Sequence, residues 1–172
     1  MWYVLIFVSM VFKVSFKDAP KASSKVTMVK GKKTVVLLNG TVRLPEFWKH
    51  IPDEITDWLI DGTHPISGAE DIATNTFHLK VIGVARCHKD EKFDYMFGER
   101  LAEARAKYKI YKFFYDFTCR LYDYYNRILF GDEEVVDMGK GSCLAQDIKK
   151  YEALCIREAH HISELLKGKE NG

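Results

Sequence analysis

From Phe97 to Leu129 apolar or aromatic residues return at alternating steps of four and three (Phe97, Leu101, Ala104, Tyr108, Tyr111, Tyr115, Thr118, Tyr122, Tyr125, Leu129). Such spacing lays one stripe along a helix of about ten turns. A second stripe, Ile110, Phe114, Phe117, Leu121, Tyr124 and Ile128, runs beside the first in the distal half only. The proximal half is therefore expected to bury one face and the distal half nearly two. Asp116 with Arg120 and Asp123 with Arg127 read as acid-first i,i+4 pairs on the solvated side. Gly98 falls in the first turn, where a helix disfavours it by about 1 kcal/mol relative to Ala; its missing side chain is expected to let the helix approach the preceding strand closely.

The residues before this helix read as β. Val11 to Phe16 alternate as a half-buried strand does, Asp18 to Ser24 break the pattern, and Lys25–Val29 with Thr34–Leu38 flank Lys30-Gly31-Lys32-Lys33, a hairpin turn whose glycine can take positive φ. Asn39-Gly40 predicts a second turn, with Thr41–Leu44 continuing the meander. Pro45 and the apolar set around Trp48, Ile55 and Trp58 predict a short helix within 45–60, divided at Pro52 and capped near Asp53. Residues 61–76, rich in Gly, Pro and small polar types, read as a long loop, and loops of that length are often functional. A strand over 77–88 follows, then the long helix over 94–130 with Asp94 as its cap. After a Gly-rich acidic connector, a last helix over 144–166 carries Leu144, Ile148, Tyr151, Cys155, Ile162 and Leu165 on one side. It is expected to pair with the distal half of the long helix, leaving the tail from Lys167 to fray.

With 172 residues, 47% of them hydrophobic, the chain suits one substantial core. The expectation is a single α+β domain over 1–172: a β meander over 1–44, an antiparallel sheet packed by the long helix, and a C-terminal antiparallel helical hairpin. The net charge of +2 conceals a division, since nine Lys or Arg against two acids leave +7 on residues 1–50 and −5 on the rest. Six lysines between Lys17 and Lys33 suit either an acidic partner or a solvated edge protected from aggregation. Four cysteines, at 87, 119, 143 and 155, contain no CxxC pair, which fits a reducing cytoplasm. The apolar opening MWYVLIFVSM lacks a basic n-region and is short for a bilayer span, so a strand is expected, with an upstream artefact ahead of a start at Met10 and membrane targeting as the open alternatives.

Few residues offer chemistry. Cys87 and His88 could ligate a metal or supply a nucleophile, but neighbours on a strand point to opposite faces. His160 and His161 are likewise adjacent, without a HExxH companion, and Glu99 and Glu103 read as a solvated pair. No Walker loop, GxGxxG turn or GxSxG elbow occurs. Neither a metal site nor a cofactor is expected.

The segment GVARCHKDEKFDYMFGERLAEARA resembles a strand-to-helix pattern, CHPxDxFDxxxGxxLAxxRA, found in small proteins of Firmicutes phages and prophages. Cys87, His88, Phe93, Asp94, Gly98, Leu101, Ala102, Arg105 and Ala106 match it, while Lys89 replaces the usual proline. With the strand residues before it, the resemblance spans 79–106, about 28 of the 172 residues. It implies a phage source and a structural joint between sheet and helix, in a family without an assigned activity. Strands followed by a long helix are also similar to double-stranded-RNA-binding domains, but the start of this helix lacks the lysine cluster that such an activity would use.

These readings predict a phage-encoded, non-enzymatic binding protein of the host cytoplasm that inhibits a defence or regulatory system by contact with a host protein. Tyr115, Tyr122, Tyr124 and Tyr125 on the aromatic distal helix are its expected contact residues, together with the 61–76 loop. A homodimer through the same helix pair would absorb surplus apolar surface. The alternative is a nucleic-acid or signalling-nucleotide binder using Lys30, Lys32, Lys33, Arg86, Arg100 and Arg105. A small metal-dependent enzyme centred on Cys87 and His88 is the second alternative, and no role in a membrane is expected.

Overall fold

A computed structural model describes residues 21–43, 53–60, 70–71, 76–130 and 143–170. The strand expected around Val11–Phe16, the turn at Pro45, most of the 61–76 loop and the connector after the long helix lie outside the described residues. The rest is an α+β fold: an antiparallel sheet packed by a long helix, followed by a second helix that completes an antiparallel hairpin.

Strands β1 (Lys21–Lys30) and β2 (Lys33–Arg43) form the expected hairpin, with Gly31 at φ 59° in its turn. Lys32 closes the turn against the next loop, donating from Nζ to the carbonyls of His88, Lys89 and Glu91. After helix α1 (Asp53–Ile60), the two-residue β3 (Glu70–Asp71) pairs with the start of β4 (Thr76–Arg86). The sheet order is β1-β2-β4-β3, antiparallel throughout.

Asn39-Gly40 does not turn. β2 runs straight through it, because β1 and β4 pair with it on both sides, and the irregularity falls instead on β1 as a register shift between Ala22 and Ser24. Asn39 donates to the Ser24 hydroxyl across that shift. A local turn propensity is overridden where the ladder satisfies every backbone group. β3 likewise occupies part of the segment read as a loop.

The long helix α2 (Tyr95–Phe130) starts as the sequence predicts, with the Phe97 amide donating to the Asp94 carboxylate at 3.0 Å. Its proximal half lies on one face of the sheet, over Thr34, Val36 and Leu38 of β2 and Val81 and Ala85 of β4, all buried. Leu101, Ala102 and Ala106 bring the helix down on that layer. The closest approach is at Gly83, where an added Cβ would lie 1.8 Å from the Ala102 carbonyl oxygen. Gly98 faces Thr34 of β2 rather than β4, so the glycine that admits the helix to the preceding strand is Gly83.

Helix α3 (Cys143–Glu170) packs along α2 and reaches its beginning. Tyr151 stacks on Phe114 with ring centroids 5.5 Å apart, and Lys169 lies 5.1 Å over the Phe97 ring while bonding the Glu91 carboxylate. Lys169, in the tail read as fraying, is thus tied to the sheet–helix joint, and α3 runs beside the proximal half of α2 as well as the distal half. The distal core is built on the second stripe, Ile110, Phe114, Phe117 and Leu121, with Phe113 added. Trp58 of α1 explains Phe113: it stacks on Phe113 at 5.6 Å and on Phe117 at 6.3 Å, and the Arg120 guanidinium lies 4.7 Å over its ring. Arg120 therefore does not serve Asp116, which pairs with Lys112 instead, and Arg127 reaches Glu54 at 3.5 Å. Burial of each large aromatic in this cluster contributes about 1.5–3 kcal/mol.

Candidate functional site

Alternation along the strands decides what the second face of the sheet presents. Residues that face α2 are Lys25 and Thr27 on β1, Thr34, Val36 and Leu38 on β2, and Val81, Gly83 and Ala85 on β4, so the intervening residues face the other way. The register assembles those into cross-strand rows. Val26, Leu37 and Ile82 form one, and Met28, Val35 and Val84 the next. No described element packs on this face. Val26 remains 46% exposed, Met28 53% and Ile82 46%, while Val35, Leu37 and Val84 on the inner strands are half-buried by their neighbours.

The two ends of this apolar field are polar. Toward the hairpin turn the next row is Lys30, Lys33 and Arg86; toward the opposite end it is Ser24, Asn39 and Lys80. Like charges directly opposite one another on a sheet repel. Among the described residues no carboxylate forms an ion pair with Lys30, Lys33, Lys80 or Arg86, and the described rows of this face contain no acid.

The opposite face treats its charges differently. Lys25 of β1 reaches Glu99 at 3.1 Å and Glu103 at 3.0 Å on α2, and the Thr27 hydroxyl donates to Glu99 at 2.9 Å. Glu99 and Glu103, read from sequence as a solvated pair, thus clasp the sheet. Hydrogen bonds from Thr27 and Lys25 hold the Glu99 carboxyl below its ordinary range. Burial pushes Glu103 up, but Lys107 and Lys25 outweigh it and hold that carboxyl down as well.

The alternative basic set divides. Lys30, Lys33 and Arg86 come together on the open face, but Lys32 is engaged by carbonyls of the 88–91 loop. Arg105 donates to the Val84 carbonyl at 2.8 Å, and Lys109 to that of Ile82 at 2.9 Å. Among the described residues, Ile82 to Arg86 of β4 pair with β2 alone, so these two helix cations sit on carbonyls of its other edge. Arg100 is exposed on α2, in the opposite layer from the open face.

Nor do the tyrosines form one surface. Tyr125 is 4% exposed and belongs to the core, edge-on to Tyr124 at 5.4 Å, which removes it from the expected contact set. Tyr115, Tyr122 and Tyr124 are half-buried against the same cluster, and Lys112 lies 5.2 Å over the Tyr115 ring. Among the described residues, the distal half of α2 exposes an aliphatic group at Ile128 instead.

At the sheet–helix joint the Cys87 amide donates to the Lys32 carbonyl at 2.9 Å, and the thiol lies 3.5 Å from Glu91 Oε2. His88 is exposed beside Asp90 at 3.4 Å. Among the described residues no three His, Cys, Asp or Glu side chains group to hold a metal. The small cavity beneath this turn, between Thr34, Phe97 and Gly98, measures about 20 Å³, room for a single water. Burial pushes the Cys119 and Cys155 thiols up, away from the reactive thiolate. His160 and His161 stand on the exposed side of α3 near Glu164 and Glu158.

The open sheet face was not legible as a site in the sequence, because each strand reads as half-buried and nothing local says which half stays bare. The signal lay in Val26 with Met28 and Val35 with Leu37, apolar on the side that alternation gives away from Thr34, Val36 and Leu38. No described helix is long and apolar enough to cross a membrane. Comparison with protein-family models, with curated proteins and with solved structures finds no match.

Proposed function

We propose that the protein is a phage-encoded, non-enzymatic binding protein that acts by protein–protein contact in the host cytoplasm, against a defence or regulatory system, with the open sheet face as its working surface. The observation that carries this reading is the pair of apolar rows on that face, three of whose side chains stand about half exposed. Monomeric proteins rarely leave a contiguous apolar field of this kind without a partner to cover it. The phage source rests on the strand-to-helix segment around Cys87.

The row of Lys30, Lys33 and Arg86 favours a second reading, attraction of nucleic acid or a nucleotide. Against it, the described rows of the face offer no aromatic ring on which a base could stack.

A photo-crosslinking residue placed at Ile82, with the same residue at Ile156 on α3 as control, tests the proposal in host cells. A discrete protein adduct at Ile82, absent at Ile156 and resistant to nuclease, is expected. Equal labelling at both positions, or adducts only to nucleic acid, contradicts it.

A further inference from the structure

We infer that the open sheet face docks an acidic amphipathic helix of a partner protein, whose apolar stripe covers the two aliphatic rows and whose carboxylates meet Lys30, Lys33 and Arg86 at one end and Lys80 at the other. This deepens the proposed function, on which it rests, by naming the chemistry of the occupant.

Size comes first. Lys80 and Arg86 are six residues apart on β4, or about 20 Å along the strand at roughly 3.3 Å per residue. Three strands at about 4.8 Å spacing make a ribbon about 10 Å wide between the outer strands. A helix is about 10–12 Å across and covers 20 Å in about 13 residues. One helix of three to four turns laid along the strands therefore fills the field from one charged end to the other. It would also supply a layer that no described element provides on this face, α2 being the described helix that packs on the opposite one.

Charge then selects the occupant. The face holds cations at both ends, and no acid occupies its described rows. A second copy of the chain laid face to face would set these cations against their own kind, which disfavours self-association here. A partner helix with acidic residues at both ends, more of them at the end that meets Lys30, Lys33 and Arg86 than at the Lys80 end, complements all four. Lys25 shows the contrast: on the covered face the same residue type already holds two carboxylates, whereas on the open face the lysines have none among the described residues.

The test is selection of displayed, helix-forming 14-residue peptides on the full-length protein, run in parallel on Met28→Glu/Ile82→Glu and on Lys33→Glu/Arg86→Glu. The wild type is expected to enrich peptides with an apolar stripe and Asp or Glu at both ends. Met28→Glu/Ile82→Glu should lose them, and Lys33→Glu/Arg86→Glu should weaken the best peptide by at least about tenfold and turn the preference at that end toward Lys or Arg. Because the charge reversal leaves the apolar rows intact, it stays informative if the first variant misfolds. Face-dependent peptides with neutral or basic ends would overturn the acidic partner while leaving the face as the working surface. An absence of face-dependent peptides would overturn both. Phosphatidylglycerol vesicles and a single-stranded 20-nucleotide RNA serve as further probes, and retention of either by the wild type but not by Met28→Glu/Ile82→Glu would overturn the inference. So would a crosslink from position 82 to a second copy or to residues 1–20 of the same chain.

Discussion

A Cβ placed on Gly83 would stand 1.8 Å from the carbonyl oxygen of Ala102, so β4 and α2 meet backbone to backbone. The obstacle is main chain and cannot rotate away. Gly83→Ala is expected to cost about 3 kcal/mol, the upper part of the range for overpacking a core. Urea denaturation of the variant against the wild type measures it.

Gly98 gives the opposite expectation. Its added Cβ would meet the Thr34 hydroxyl at 2.6 Å, a side-chain group on a residue with other rotamers. Replacing glycine by alanine inside a helix gains about 1 kcal/mol, which offsets much of the displacement of Thr34. Gly98→Ala should therefore remain within about 1 kcal/mol of the wild type in the same titration. A loss as large as that of Gly83→Ala would show that Thr34 is held rigidly.

Acid should weaken the clasp between β1 and α2. Glu99 and Glu103 are held below the ordinary glutamate value of 4.5, so in the folded chain they take up protons later than in the unfolded chain. Their contribution is fully present above 4.5 and is lost as pH falls through the lower folded values. Lys25 is held above 10.5 by hydrogen bonds with Glu103 and Glu99, so its share is lost only as pH rises beyond the ordinary lysine value. Lys25→Met is expected to flatten the acid limb of a stability–pH curve. An unchanged limb would mean that other carboxylates govern acid unfolding.

Arg105 and Lys109 occupy the Val84 and Ile82 carbonyls on the edge of β4. Unengaged edge carbonyls invite strand addition from another chain. Arg105→Ala/Lys109→Ala should keep its helical circular dichroism yet self-associate at concentrations where the wild type is monomeric, as read by light scattering. A monomeric double variant would show that the edge is protected in another way.

How far the sequence could be read depended on whether the deciding contact was local. The Lys30–Lys33 turn and the Asp94 cap are local, since Gly31 and the Asp94 carboxylate act within a few residues, and both stand as expected. The long stripe predicted a helix on a sheet, but it could not rank the two stripes: Trp58, distant in sequence, stacks on Phe113 and Phe117 and draws the core toward the second. Tyr125 consequently lies inside, where a contact surface was expected. Asn39-Gly40 misled because pairing on both sides of β2 overrides a turn dipeptide. The open face emerged only with the register, which joins Val26 to Leu37 to Ile82 across 56 positions of sequence.

Met28 reports most directly on whether this face waits for another protein. Its side chain is 53% exposed on β1, the edge strand of the open field, between Val26 and the cationic row at Lys30, and sulfoxide formation under a mild oxidant follows exposure. The account predicts rapid oxidation of Met28 in the isolated full-length protein and strong protection in nuclease-treated host extract. Protection in the isolated monomer would mean that the chain covers its own face, and equal oxidation in buffer and extract would mean that no partner comes; either result contradicts the account.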